Sequence, residues 1–208
     1  MTMKTMRAAA TASILGLATV TATAQTPSVS SDTVERVAHI CNVCHGVGGK
    51  DGSEGSPNLA GHPAAYFAQQ LRYFRNQKRA DANATGDMWS ISALLDEPVI
   101  EGLADYYEAQ TPVPGKAGSA AQMELGKRIY TQGIPANKVM ACAACHGENG
   151  EGGTVFPRLA SQHAEYTVSQ LKEFLTKLRP HGAVMSDGVA KHLTVDEMKA
   201  VAVYLEAK

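Results

Sequence analysis

The chain has few cysteines, no surplus of basic charge, and no long hydrophobic run, and each shortage excludes something. Lys and Arg together number 19 against 20 Asp and Glu in 208 residues. Nucleic-acid binding calls for a basic patch or stripe, and this balance provides none. The most apolar stretch, residues 8–20, is too short and too weakly apolar for a bilayer span, and no other stretch does better. The four cysteines fall into two pairs, Cys41 with Cys44 and Cys142 with Cys145, so none is left over for a separate structural disulfide.

Both pairs run directly into a histidine. They read Cys41-Asn42-Val43-Cys44-His45 and Cys142-Ala143-Ala144-Cys145-His146. C-x-x-C-H is the attachment signature of a c-type haem. Two thiols a turn apart on a helix can each add to a haem vinyl group, giving two thioethers. The adjoining histidine is then held under the iron as its proximal ligand. C-x-x-C also occurs in zinc sites and in thioredoxin-type redox pairs. Zinc ribbons space their pairs about 15–20 residues apart, whereas about 100 residues separate these two. Two matching C-x-x-C-H copies favour two covalently bound haem c groups, with Cys41, Cys44, Cys142 and Cys145 as attachment points and His45 and His146 on iron.

The N-terminus has the pattern of an export signal: Lys4 and Arg7 precede the apolar run, and Ala22-Thr23-Ala24 fits a small-residue cleavage site. Residues 1–24 are therefore expected to be a signal peptide, and the protein to be periplasmic, where c-type haems are attached. Removing Lys4 and Arg7 leaves 17 basic against 20 acidic residues, a net charge of −3. Pro112, Pro114, Gly115 and Gly118 mark residues 111–118 as a short, partly stiff linker. It divides the rest into an N-terminal domain, 25–110, and a C-terminal domain, 119–208. Domains this small have marginal cores, and a buried haem would add core mass to each.

Apolar periodicity predicts an all-α fold. Helices are expected over about 32–44 with Asp32 as N-cap, 63–78, 96–109 with Asp96 as N-cap, 119–131 with Ser119 and Gln122 as a capping box, and from the capping box Thr194/Glu197 to the C-terminus. Gly126 would let another helix cross closely. Arg72, Arg75, Lys78 and Arg79 are expected to face solvent. The second half replays the first: Pro157-Arg158-Leu159-Ala160 answers Pro57-Asn58-Leu59-Ala60, and Tyr166, Gln170, Leu171, Phe174 and Arg179 answer Tyr66, Gln70, Leu71, Phe74 and Arg79.

An electron-transfer haem needs a second axial ligand, commonly methionine. Met88 is the only methionine after His45 in the first half; Met185 and Met198 follow His146 in the second. Met198 aligns with the core position Ile100, whereas Met185, like Met88, lies in a loop before the last helix. Met88 and Met185 are the expected ligands, with His181 the rival to Met185. His39, His62, His163 and His192 read as surface or satisfied polar residues. A haem enzyme would instead need an open iron position with acid–base groups nearby.

Two C-x-x-C-H-G motifs, each followed by a glycine loop, P-x-L-A, Y-x-x-x-Q-L-x-x-F, a methionine and a terminal helix, resemble the cytochrome c4 family of dihaem class I c-type cytochromes. The resemblance covers residues from about 32 to the end. It implies two tandem class I cytochrome c domains, no catalytic residues, and a periplasmic electron carrier, often loosely bound to the inner membrane. Its redox partners would be a quinol-oxidising donor complex and a terminal oxidase. It also implies that the carbonyls of Pro57 and Pro157 accept from His45 and His146. The alternatives are the cytochrome subunit of a sulfide or thiosulfate dehydrogenase, or a dihaem peroxidase-like enzyme.

Overall fold

The structure, a computed structural model, describes residues 1–2, 29–82, 84–179 and 182–208. Nearly all of the expected export segment, and His181, lie outside them. Among the described residues there are helices and two isolated β-bridges but no strand.

In the first half, α1 (Ser31–His45) is capped by Ser30, whose hydroxyl accepts from the Thr33 N–H. Asp32 is not the cap. It sits in the first turn, where its charge still complements the helix dipole. α2 (Ala64–Arg75) stops three residues short of Lys78, the expected end, because Gln77 turns the chain with a φ of 54°. A single π-turn, Ala84–Met88, leads into the short α3 (Trp89–Ser92). α4 (Glu97–Glu108) begins as expected, with the Asp96 carboxylate accepting from the Val99 N–H. Val34, Ala38, Phe67, Leu71, Ile100, Leu103 and Tyr107 form one core where these helices meet.

The second half follows the same plan with one insertion. α5 (Ala120–Gln132) is capped by Ser119, which accepts from the Gln122 N–H. The Gln122 side chain meets the Ser119 hydroxyl rather than its N–H, so the reciprocal half of the capping box is missing. The chain then folds through a 3₁₀ turn at Pro135–Asn137 to α6 (Ala143–His146), a single turn that carries the second cysteine pair. α7 (Ala164–Glu173) and α8 (Ala183–Gly188) follow. α9 (Val195–Glu206) opens with the full Thr194/Glu197 capping box. Gly126 lies where α5 crosses α9; a Cβ there would come within 2.1 Å of the Ala200 carbonyl oxygen. Ile129, Leu171, Met198, Val201 and Leu205 build the second core.

The halves are joined by polar contacts as well as by the linker. The Ala80 N–H donates to the Leu178 carbonyl at 2.9 Å. Arg79, expected on the surface, is instead buried at this junction, its guanidinium bonded to Asp81 in its own half and to Gln170 in the other. Arg72 and Arg75, also expected to face solvent, are half-buried and pair with Glu97 and Glu101 on α4.

Candidate functional site

Two cavities account for nearly all the residues singled out from the sequence. The first, about 320 Å³, is lined by Cys41, Cys44, His45 and Met88, with Leu59, Phe67, Leu71, Phe74, Leu95 and Leu103 as its apolar walls. The second, about 750 Å³, is lined by Cys142, Cys145, His146 and Met185. Both fall in the roughly 300–1,000 Å³ range of ligand and cofactor sites.

Local structure places each group. α1 ends at His45, and Gly46 reverses the chain with a φ of 74°. A side chain at Gly46 would strike the Lys50 carbonyl oxygen at 1.8 Å, so the loop closes tightly only because glycine is there. The loop returns as Pro57, whose carbonyl accepts from His45 Nδ1 at 2.8 Å. In the second half Pro157 does the same for His146 Nδ1 at 3.0 Å. With the Nδ1 proton committed to a carbonyl, each ring leaves Nε2 free as a metal donor. Burial pushes both histidine pKa values down, against the opposing pull of the proline carbonyls, and so keeps the rings neutral.

Burial also pushes the Cys41 thiol up and raises Cys142 to about 11. Neither is the low-pKa thiol of a reactive redox pair. No group of three or more His, Cys, Asp or Glu side chains gathers to hold a metal among the described residues. Among the described residues, neither pair has the further ligands a structural zinc site requires.

Met88 closes the π-turn, and its segment is pinned from two sides. Trp89 Nε1 donates to the Arg79 carbonyl at 2.7 Å, and Ser92 Oγ donates to the Met88 carbonyl. Met185 sits on α8 rather than in a loop, because residues 183–188 complete a helical turn and a half whose Met185 carbonyl accepts from the Val189 N–H. Met198 is 2% exposed in the second core and does not line the cavity. His62 and His163, expected at the surface or satisfied, are buried, and each has one ring nitrogen without a partner. His62 lines both cavities, and burial, with Arg158 and His45 nearby, lowers its pKa to about 4.

The wall shared by the two cavities was not legible as a site. Tyr66, Gln70, Arg79 and Tyr166 line both. Arg79 donates to Gln70, Gln170 and Tyr166, and Arg179 donates to Gln170 and Gln70 across the junction. Each arginine also stacks over a phenylalanine of its own half, at 4.6 Å for Phe74 and 4.4 Å for Phe174. Asp81 is the one carboxylate bonded into this cluster among the described residues. Burial and repulsion from Arg79 lower the Arg179 pKa, the mark of a cation short of counter-charge. Two arginines, Arg79 buried and Arg179 half-buried, facing one carboxylate suit the acidic side chains of haem. The only sequence signal was the 100-residue repeat of Tyr66, Gln70 and Arg79.

Comparison with known proteins agrees with this geometry. Residues 123–207 match the family model for cytochrome c. The cytochrome c-552 of Acidithiobacillus ferridurans is 38% identical over 73% of this chain, and the match spans 65% of that protein's length. A thiosulfate dehydrogenase electron acceptor of Thiomonas intermedia is 34% identical, with 73% of this chain and 70% of that protein covered. The solved cytochrome c4 of Acidithiobacillus ferrooxidans superposes with a TM-score of 0.77 at 38% identity, covering 82% of this chain and 99% of that one. With two haem-attachment motifs, a cavity at each, and a cytochrome c4 relative of which it covers 99%, the chain belongs to the cytochrome c4 family: an all-α protein that carries two covalently bound haem c groups and transfers electrons.

Proposed function

We propose that this protein is a periplasmic shuttle with both irons closed, taking electrons from a quinol-oxidising complex to a terminal oxidase. In this reading residues 1–24 direct export, and domains 25–110 and 119–208, joined by 111–118, hold one haem each. Cys41, Cys44, Cys142 and Cys145 form the thioethers. His45 with Met88, and His146 with Met185, are the axial pairs. The single observation that carries the reading is that the first cavity brings His45 together with Met88 and the second brings His146 together with Met185, Met140 also lining the second. When bound, haem iron supplies one-electron chemistry at a potential that methionine ligation raises. The chain's own residues exclude water from that iron, orient the proximal rings through the Pro57 and Pro157 carbonyls, and neutralise the haem carboxylates at the shared wall. Because Tyr66, Gln70, Arg79 and Tyr166 line both cavities, the two haems would lie across one thin wall, which suits an internal electron step.

A second reading has one specific support: the relative named as an electron acceptor of thiosulfate dehydrogenase. It keeps the carrier chemistry and changes only the donor. The test is to mix the oxidised protein with a purified quinol-oxidising complex and, separately, with a thiosulfate-oxidising enzyme and thiosulfate, and to follow haem reduction. Fast reduction by the quinol complex alone supports the first reading, and fast reduction by the enzyme alone supports the second. Strong turnover of peroxide or thiosulfate by the protein itself contradicts both.

A further inference from the structure

One peptide group at the junction of the halves is held from both ends. Its carbonyl is that of Pro57, which accepts from His45 Nδ1. Its N–H is that of Asn58, which donates to Oε1 of Gln162 at 2.8 Å, across 104 residues of chain. Gln162 Nε2 donates back to the Asn58 carbonyl at 3.0 Å, and Asn58 Nδ2 donates to the Ser161 carbonyl at 2.8 Å. Asn58 is 7% and Gln162 5% exposed, so bulk water does not compete for these bonds.

Hydrogen bonds in series polarise one another in a low-dielectric interior. An acceptor on the Asn58 N–H moves electron density onto the Pro57 oxygen. That oxygen then pulls harder on the His45 proton, and the ring becomes more basic toward a metal at Nε2. Outer partners of ligating histidines tune the metal in this way. We propose that Gln162, a residue of the second half, is a positioning residue for His45 and sets the potential of the first haem through the Pro57–Asn58 peptide. The inference rests on His45 being an iron ligand, as read above.

The arrangement is one-sided. His62 occupies the place that matches Gln162 in the repeat, and its Nδ1 has no partner. No side chain of the first half bonds the matching Arg158 N–H among the described residues. The second haem therefore lacks this peptide lever, although Gln162 itself lines the second cavity, and undocking the halves changes the two irons unequally. A more basic imidazole favours ferric iron, so the intact chain holds the first potential down.

The test is a spectroelectrochemical titration of the holoprotein, wild type against Gln162→Leu and Gln162→Glu. Proton NMR of the His45 Nδ1–H in the ferrous state accompanies it. Gln162→Leu should raise the first potential and shift the His45 Nδ1–H upfield, whereas the second potential, whose cavity Gln162 also lines, should move less. Gln162→Glu, which keeps an acceptor and adds charge beside the second cavity as well, should lower the first potential and shift the His45 Nδ1–H downfield. Simple loosening of the junction would wet both haems and lower both potentials. That pattern in Gln162→Leu, or an unmoved His45 resonance in both variants, overturns the proposal. A wild type whose His45 ring carries no haem-shifted resonance overturns the ligand reading, and the proposal with it.

Discussion

Asp81 shows what a single residue does at the junction. It is 1% exposed, and its carboxylate takes two hydrogen bonds from Arg79, at 2.7 and 3.2 Å. Burial raises its pKa, but the Arg79 bonds and charge outweigh that and hold it below the usual carboxylate value. A carboxylate whose folded pKa is depressed stabilises the fold above its unfolded pKa of about 3.9 and loses that contribution as pH falls through the folded value. Asp81→Ala, which leaves Arg79 buried beside Arg179, should cost about 3 kcal/mol at neutral pH. The deficit should shrink as pH drops below about 4. Denaturant titrations of both proteins at several pH values check this, and a loss that does not change with pH contradicts it. Nothing in the sequence around Asp81 and Arg79 announced the pair. A run of Arg72, Arg75, Lys78 and Arg79 reads as a solvated face, and only the turn at Gln77 brings Arg79 inward. The cysteines and histidines were legible because their chemistry demands adjacency in sequence, whereas Arg79 and Gln170 meet across 91 residues.

At the scale of the element, caps and crossings decide how the cofactor walls are held. Asp96, Ser119 and Thr194 cap their helices as the sequence indicates, since a cap depends on residues only three positions away. Ser30 displaces Asp32 because both are good caps and the choice falls to the backbone, which is extended at Ser30. Met185 on α8 was not legible as helical: a helix of six residues has too few apolar positions to show a period. Gly126 was read correctly, and it offers a sharp test. Gly126→Ala gains about 1 kcal/mol of helix propensity. It must also push α5 off the Ala200 backbone, and overpacking of this kind costs about 1–3 kcal/mol. Because the obstacle is backbone rather than a yielding side chain, the cost should lie near the upper end of that range, which less the propensity gain leaves a net destabilisation of about 2 kcal/mol. A thermal midpoint equal to or above that of the wild type would contradict the close crossing.

At the scale of the whole molecule, the repeat explains why two such small halves make one carrier. Each half supplies a cavity, a C-x-x-C-H histidine fixed on a proline carbonyl, and an arginine stacked on phenylalanine. The Tyr66, Gln70 and Arg79 set and its copy then close the space between them. The bonds of Arg79, Arg179, Gln162 and Ala80 hold the shared wall together. The duplication itself was plain in the sequence. The junction was not, because a repeat says which residues correspond and not which face of one copy meets the other. The proposal that both irons are closed by methionine, and so serve transfer rather than catalysis, is tested most directly by counting methionine–iron bonds. The near-infrared magnetic circular dichroism band of methionine-ligated ferric haem measures this in the intact protein. Two such haems per chain are expected in the wild type, one in Met88→Ala and one in Met185→Ala, each variant gaining one cyanide-binding iron. A wild type with fewer than two, or a count unchanged by either substitution, would contradict the account.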